Sequence, residues 1–204
     1  MPQITSITYQ EKNKNRCNVF VDGEFFCGMS LETVMKNRLK VGQDVDKEWF
    51  KEVVKESEKS DALNKAAEYI SKRLKTKREI KDYLLKKGYS EDIAWYCVDK
   101  LKEYGYVDDV GYSKRYIEST SKTQGKRLVE YKLMMKGVRK DDIGAAFGEV
   151  DVQSKENARV LAEKHIKNKE VNKENLAKTY RYLIGRGFSY EDASYAIDKI
   201  KGDN

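Results

Sequence analysis

The sequence predicts a mainly α-helical protein, an elongated tandem array of three-helix repeats behind a small N-terminal α+β module with a β-hairpin. Three observations predict this fold class. One motif recurs about every fifty residues, the 204-residue chain contains a single proline, and Asp22-Gly23 separates two short apolar runs. The predicted module and the three predicted repeats span residues 1–60, 61–108, 109–152 and 153–204.

The recurring motif is an apolar pair followed by a basic residue and a glycine. The glycines are Gly88, Gly137 and Gly187, so the steps are 49 and 50 residues. A basic residue and then glycine are typical of a helix end, because glycine tolerates the left-handed backbone and a cation suits the negative helix terminus. Repeats of this length stack into layers whose long concave surfaces usually bind long partners.

The N-terminal module begins with strands. Asp22-Gly23 predicts a two-residue hairpin turn. That turn would place Phe20 opposite Phe25 and Asn18 opposite Cys27, with Cys17 on the other face of the sheet. A disulfide between the two cysteines is therefore not expected.

Helices are predicted from residue 30 onward. Ser30 should cap a short helix that reaches about Arg38, and separate helices are expected over about 46–59 and over 62–75. Thr76-Lys77-Arg78-Glu79 has the residues of a capping box that starts the next helix. Further helices are expected near residues 110–121, 125–136 and 140–148, with Ser90, Ser154, Asn172 and Ser189 as caps.

Positive charge is concentrated in the middle of the chain. The net charge is +7, and residues 62–140 alone contain 20 Lys or Arg against 11 Asp or Glu. An excess confined to one stretch favours a surface that faces a polyanion. The alternative, solvated faces of lysine-rich helices, remains equally open from composition alone.

The candidate site is a basic face formed where helices meet. Arg73 and Lys77 span one helix junction, and Lys126 and Arg127 lie at the equivalent junction of the next repeat. Stacked repeats would align these junctions along one edge, which a phosphate backbone or an acidic protein groove could follow. The candidate residues are Lys72, Arg73, Lys75, Lys77, Arg78, Lys87, Arg115, Lys122, Lys126, Arg127, Lys136 and Arg186. No base-reading motif is present, so nucleic-acid binding is expected to be nonspecific.

Catalysis is not expected. The one histidine, His165, has no metal-spaced partner, and a surface or structural role is favoured. Asp108-Asp109 is interpreted as a turn and a helix cap rather than a metal site. The sequence has no phosphate-binding glycine loop, and its three cysteines are too scattered for a disulfide framework or a zinc site. We therefore predict neither an enzyme nor a cofactor site.

The chain also lacks the signals of export. Its first ten residues have no basic start and no apolar core, and no apolar run is long enough to span a bilayer. A cytoplasmic monomer without a membrane partner is expected.

Four stretches in this order and spacing resemble the RecX family of regulators of the RecA recombinase. They are residues 67–84 (AEYISKRLKTKREIKDYL), 101–112 (LKEYGYVDDVGY), 125–137 (GKRLVEYKLMMKG) and 182–188 (YLIGRGF). The N-terminal segments VFVDGEFF and SLETV resemble the extension of RecX proteins from Gram-positive bacteria.

The resemblance implies a modulator that binds RecA and its filament on single-stranded DNA. It implies suppression of the ATPase, coprotease and strand-exchange activities of RecA, either from the filament groove or by blocking a filament end. The matching basic positions are Arg73, Arg78, Arg127 and Lys136. The expected partners are the RecA filament and, without sequence preference, single-stranded DNA and also double-stranded DNA. Two alternatives stay open: a nonspecific single-stranded nucleic-acid-binding helical-repeat protein without a RecA target, and a protein-interaction scaffold.

Overall fold

A computed structural model describes residues 1–11 and 13–202 of the chain. These residues contain three strands and ten helices. They form two compact units, the first comprising Met1–Arg73 and Ile80–Tyr104, the second Leu74–Glu79 and the chain from Gly105 onward. The predicted fold class, three-helix repeats with a small α+β module, is confirmed, while the predicted four-part domain division stays a prediction.

The N-terminal module contains an antiparallel sheet. Its strands β1 (Ile4–Tyr9), β2 (Arg16–Val21) and β3 (Glu24–Ser30) are paired in the order β1-β2-β3. Asp22 and Gly23 connect β2 to β3 with φ angles of 52° and 86°. The predicted hairpin turn is confirmed, since a two-residue turn of this kind needs two positive φ angles.

The register of the hairpin differs from the prediction beyond its first pair. Phe20 lies opposite Phe25 as predicted, but Cys27 lies opposite Val19 instead of Asn18. The ladder is irregular between Val19 and Phe20, and one additional residue is accommodated in β3. Such a bulge moves all later residues of the strand to the other face.

The bulge also corrects the prediction for the two cysteines of the sheet. Cys17 and Cys27 are both buried and lie on the same face, whereas the sequence predicted opposite faces. Both are free thiols. They line the core of the first unit with Ile4, Val19 and Phe50.

A short helix and a long helix follow the sheet. Helix α1 (Leu31–Lys36) is capped by Ser30, whose Oγ accepts a hydrogen bond from Thr33 N at 3.0 Å, as predicted. Helix α2 (Lys47–Ser71) is a single helix of 25 residues. The prediction of two helices in this region was wrong, because the buried stripe from Phe50 to Ala66 continues across residues 60–61 without a glycine or proline to break it.

The next two helices are α3 (Lys77–Lys86) and α4 (Glu91–Glu103). The capping box of α3 is confirmed, with Thr76 N donating to Glu79 Oε2 at 3.0 Å and Glu79 N donating to Thr76 Oγ1 at 3.2 Å. Ser90 caps α4, as predicted.

The second and third repeats contain three helices each. In the second these are α5 (Asp109–Thr120), α6 (Lys126–Met135) and α7 (Lys140–Glu149). In the third they are α8 (Ser154–Ile166), α9 (Lys173–Gly185) and α10 (Tyr190–Gly202). The predicted helices of the second repeat agree with these bounds to one residue.

Two of the three helix caps predicted for the last repeat are confirmed. Asn172 Oδ1 accepts from Asn175 N at 3.0 Å, and Ser189 Oγ accepts from Asp192 N at 3.0 Å. Ser154 is the first residue of α8 rather than its cap. Its hydroxyl instead donates to Asp192 Oδ2 at 2.8 Å, which ties α8 to the start of α10.

The repeated glycines end α3, α6 and α9. Gly88, Gly137 and Gly187 have φ angles of 89°, 81° and 87°. This is the left-handed conformation that the repeated motif predicts after a helix. The second and third repeats each have a hydrophobic core of their own, centred on Leu133 and Leu183.

Candidate nucleic-acid and partner interface

The start of α3 contacts the second repeat at a place that we call the first junction. It consists of residues 76–79, Asp109 and the turn Lys136-Gly137, all within the second compact unit. Thr76 Oγ1 donates to the carbonyl O of Lys136 at 2.7 Å. The backbone N of Lys77 donates to Asp109 Oδ1 at 3.0 Å, so that a carboxylate of the second repeat satisfies the N-terminus of α3.

Two cations of the first junction, Lys77 and Lys136, are paired with carboxylates within it. Lys77 Nζ lies 3.9 Å from Asp109 Oδ2, and Lys136 Nζ donates to Glu79 Oε1 at 3.0 Å. Burial raises the pKa of Asp109, and the bond from Lys77 opposes that shift. Burial lowers the pKa of Lys136, but hydrogen bonds to Glu79 and Tyr112 more than offset this, so that its pKa is raised. The hydrogen bonds within the junction thus offset part of the cost of burying Asp109 and favour the charged form of Lys136.

The start of α6 contacts the third repeat in the same way, at a place that we call the second junction. It consists of residues 125–128 and the turn Arg186-Gly187. Gly125 N donates to the carbonyl O of Arg186 at 3.0 Å, and Arg127 N donates to the carbonyl O of Gly187 at 3.2 Å. A Cβ atom on Gly125 would overlap the backbone of Phe188. The contact is therefore made by the backbone, and it requires the glycine.

The two motif glycines at these junctions have a second role beside ending a helix. A Cβ atom on Gly137 would overlap the side chain of Arg78, and one on Gly187 would overlap Leu128. Around Gly88 no atom lies within 4 Å of that position. Two of the three repeated glycines thus permit a neighbouring helix to approach closely.

The cations of the second junction remain exposed. Lys122, Arg127 and Arg186 are exposed and form no ion pair within the part of the chain that the structure describes. Lys126 Nζ lies 3.8 Å from Glu130 Oε1, but its side chain is 61% exposed. An exposed pair of this kind is weak in water, so that the second junction presents net positive charge.

The structure separates the candidate residues into three sets. The first junction and the residue before it hold Lys75, Lys77, Arg78 and Lys136, and the second junction with the turn before it holds Lys122, Lys126, Arg127 and Arg186. The other candidates are exposed and lie outside both junctions: Lys72, Arg73, Lys87 and Arg115. Lys72 is 3.7 Å from Glu68, and Lys87 Nζ lies 5.5 Å from the ring of Tyr83.

The sequence analysis placed Glu79 in a capping box and Asp109 in a helix cap, but it missed their pairing with Lys136 and Lys77, which distinguishes the two junctions. Glu79 and Lys136 are 57 residues apart in the chain, and no local spacing rule connects them. Asp109 carried one signal, its position at the beginning of a repeat. Asp108 is the N-cap of α5, as the sequence analysis favoured, and its carboxylate accepts from Val110 N at 2.9 Å.

The ring of His165 is held by hydrogen bonds within the third repeat. The hydroxyl of buried Thr179 donates to the carbonyl O of Asn175 at 2.9 Å, so His165 Nδ1 donates to Thr179 Oγ1 at 3.0 Å. Lys169 Nζ lies 3.3 Å from the other ring nitrogen. Burial, and then Lys169, lower the pKa of His165, which favours the neutral ring.

Burial also lowers the reactivity of two cysteine thiols. Burial raises the pKa of the Cys27 and Cys97 thiols to about 11, so both stay protonated at neutral pH. Residues 1–11 and 13–202 contain no cluster of three His, Cys, Asp or Glu side chains with the geometry of a metal site. Among the same residues, no helix is both long enough and apolar enough to cross a membrane.

The fold and its junctions define a tandem three-helix repeat protein with an N-terminal α+β module. Family models match three parts of the chain. Residues 2–46 match the N-terminal domain of regulatory protein RecX, residues 62–101 match the first three-helix domain of RecX, and residues 151–197 match the third.

Whole-length relatives agree with these matches. The chain is 35% identical over 205 residues to the regulatory protein RecX of Clostridium perfringens (strain 13 / Type A), with 98% of this chain and 97% of the relative covered. It is 34% identical over 196 residues to the regulatory protein RecX of Clostridium botulinum (strain Alaska E43 / Type E3), with 94% and 92% covered. The chain belongs to the RecX family of regulatory proteins, of the Gram-positive type, and the resemblance drawn from its sequence is confirmed.

Solved structures support the fold independently. A crystal structure of regulatory protein RecX superimposes with a TM-score of 0.72 at 22% identity, covering 97% of this chain and all of the other. The crystal structure of RecX from Lactobacillus salivarius gives a TM-score of 0.64 at 24% identity, covering 71% of this chain and 97% of the other. At this identity the likeness concerns the fold.

Proposed function

We propose that this protein is a negative regulator of RecA. It binds the RecA filament on single-stranded DNA and inhibits its ATPase, coprotease and strand-exchange activities. It acts in the cytoplasm by binding, without catalysis or a cofactor of its own. Membership of the RecX family supports the regulatory role, and the charge of the second junction supports a filament that contains DNA as the target.

The observation that carries the proposal is the set of exposed cations at the second junction. Arg127 and Arg186 are tied to each other through the backbone bonds between residues 125–127 and 186–187. Because no carboxylate of the described chain pairs with them, their guanidinium groups can pair with phosphate or carboxylate groups of a partner. Neutralised phosphates release counterions, which favours binding at low salt without sequence preference.

An aromatic side chain adjoins this surface. Tyr131 is 56% exposed and lies four residues after Arg127 on α6. Residues four apart project from the same face of a helix. An exposed ring beside cations is the usual arrangement for stacking an unpaired base, which favours single-stranded DNA in the filament over duplex DNA.

RecA ATPase turnover on single-stranded DNA tests the proposal directly. The protein is titrated into RecA with DNA in excess, so that masking of the template cannot reduce the rate. Inhibition well below one molecule per RecA is expected if the protein acts on the filament as a whole. Normal turnover at every ratio, together with DNA binding, would mean a helical-repeat nucleic-acid binder without a RecA target.

Binding to RecA in the absence of DNA separates the two components of the proposal. Surface plasmon resonance with immobilised RecA and nuclease-treated protein should show saturable binding. An interaction that disappears after nuclease treatment would make DNA the only partner. Filament-end and groove binding then differ in stoichiometry, since only groove binding saturates in proportion to filament length.

A further inference from the structure

The last repeat has an open groove between its second and third helices. We call it the terminal groove, and its volume is about 580 Å³. Leu176, Ala177 and Tyr180 of α9 and Ile197 of α10 form its floor. All four belong to the second compact unit.

The second repeat has a groove at the equivalent place. Its lining includes Lys126, Arg127 and Glu130 of α6 and Phe147 of α7, and its volume is about 410 Å³. Each of these residues is 50 positions before a floor residue of the terminal groove, which is the step from Gly137 to Gly187. The two grooves are therefore the same feature in successive repeats.

The two grooves differ in what covers them. The groove of the second repeat is bordered by Gly187, Ser189 and Asp192, which belong to the third repeat. The lining of the terminal groove comes entirely from residues between Val171 and Lys201, within the third repeat itself.

The floor of the uncovered groove is the less polar of the two. The step of fifty residues replaces Lys126 with Leu176, and Glu130 with Tyr180. A groove that faces only water is expected to have a polar floor. An apolar floor in an uncovered groove indicates a surface that a partner covers.

The rim of the terminal groove is basic. Lys173, Arg181 and Lys201 line it, and of these three Lys201 forms an ion pair, with Nζ 3.1 Å from Asp198 Oδ1. Lys173 and Arg181 form no ion pair within residues 1–11 and 13–202. An occupant with acidic side chains would therefore complement the positive charge of the rim.

The places where a following repeat covers a helix start indicate which chemical groups would suit the terminal groove. At the first junction the following repeat supplies Asp109, whose carboxylate binds both the backbone N and the Nζ of Lys77. At the groove of the second repeat it supplies Asp192 next to Lys126 and Arg127. In both places the next repeat contributes a carboxylate to the surroundings of the basic start of the preceding helix, as an ion pair at the first junction and as a lining residue of the groove in the second repeat.

We propose that the terminal groove binds a segment of a partner protein in which apolar side chains are flanked by carboxylates. The apolar side chains lie on Leu176, Tyr180 and Ile197, and the carboxylates pair with Lys173 and Arg181. This site is separate from the cations of the second junction, and it does not depend on the proposed action on RecA.

Fluorescence polarisation with a synthetic peptide tests the proposal. The probe is a fluorescein-labelled amphipathic helix built from Leu, Glu and Asp, and the comparison peptide has Gln and Asn in place of the acids. The full chain should bind the acidic probe saturably, and more weakly as salt increases. Arg181→Glu and Ala177→Glu should each reduce the affinity about tenfold or more.

Lys178→Glu is the matched control, because it makes the same change of charge on α9 outside the groove lining. It should leave the affinity within about twofold. Equal losses for Arg181→Glu and Lys178→Glu, or equal binding of the two peptides, would overturn the proposal. Self-association in sedimentation that Arg181→Glu abolishes would also overturn it, since a second copy would then be the occupant.

Discussion

The first and second junctions have the same geometry and use different chemistry. In each, the start of one repeat's second helix rests on the glycine turn of the next repeat. Side chains make the first contact, through the hydroxyl of Thr76 and the pairs Lys77–Asp109 and Lys136–Glu79. Backbone groups make the second, through Gly125 and Gly187.

This difference in chemistry determines which junction keeps cations without an ion-pair partner. At the first junction Lys77 and Lys136 help to hold the contact together, and the carboxylates of Asp109 and Glu79 pair with them. The second holds together without side-chain charges, so Arg127 and Arg186 stay exposed. A repeat array can therefore pair its cations at one junction and leave them unpaired at another without a change of fold.

The largest expected effect is that of Gly125→Ala. The added methyl group would overlap the backbone at Phe188, which cannot move without breaking the second junction. We expect a loss of about 3 kcal/mol in the free energy of unfolding, measured with urea. Gly144→Ala is the control: it lies in α7 with no atom within 4 Å and should gain up to about 1 kcal/mol. Equal values for the two variants would contradict the backbone contact.

Gly187→Ala and Gly88→Ala separate strain from close approach. Both glycines have a positive φ, so both variants lose about 1 kcal/mol from the backbone alone. Only Gly187 also lies against Leu128. We expect Gly187→Ala to be the less stable variant by about 1 kcal/mol in thermal and urea unfolding. A loss as large for Gly88→Ala would mean that the difference in packing has no energetic consequence.

Lys136→Met should destabilise the protein, and Arg127→Met should not. Removing Lys136 takes away the cation that pairs with Glu79 Oε1 in a half-buried position, at a cost of about 1 kcal/mol. Arg127 forms no ion pair in the described chain, so its removal should change the stability by less than about 0.5 kcal/mol. The urea midpoint of unfolding, measured for the wild-type protein and each variant at low and at high salt, gives the change in stability for both variants. A larger loss for Arg127→Met would reverse the assignment of the two junctions.

The smallest expected effect concerns the salt dependence of DNA binding. Arg127→Gln should reduce the slope of log K against log salt by about 0.7 for single-stranded DNA, because one phosphate contact is lost. Lys136→Gln should leave the slope unchanged. Fluorescence anisotropy with a labelled oligonucleotide at several salt concentrations measures both slopes. A reduced slope for Lys136→Gln alone would place the DNA at the first junction.

The sequence predicted the parts of the fold that depend on local signals. The glycine turns, the caps at Ser30, Thr76 and Asn172, and the hairpin turn are all set by neighbouring residues, and the structure confirms them. The continuation of α2 was missed, because Ser60-Asp61 has the composition of a cap although the buried stripe runs through it. The bulge in β3 was missed because nothing in the local sequence requires it.

The sequence could predict the candidate site in part. The basic residues were identifiable, since charge can be counted along the chain. Their division into paired and unpaired cations was not, because the partners Glu79 and Lys136 are brought together only by the packing of two repeats. Whether a cation is available to bind a partner thus depends on the fold, which decides whether a carboxylate of the same chain pairs with it.

The most direct test of the central claim is RecA ATPase inhibition by two variants measured beside the wild-type protein. One is the double variant Arg127→Gln, Arg186→Gln, and the other is Lys77→Gln, Lys136→Gln, which removes the same charge from the first junction. Both are assayed below their unfolding temperatures on excess single-stranded DNA. We predict that the first needs about tenfold more protein for half inhibition, while the second stays within about twofold. Loss of inhibition in the second variant alone, or equally in both, would contradict the assignment of binding to the second junction.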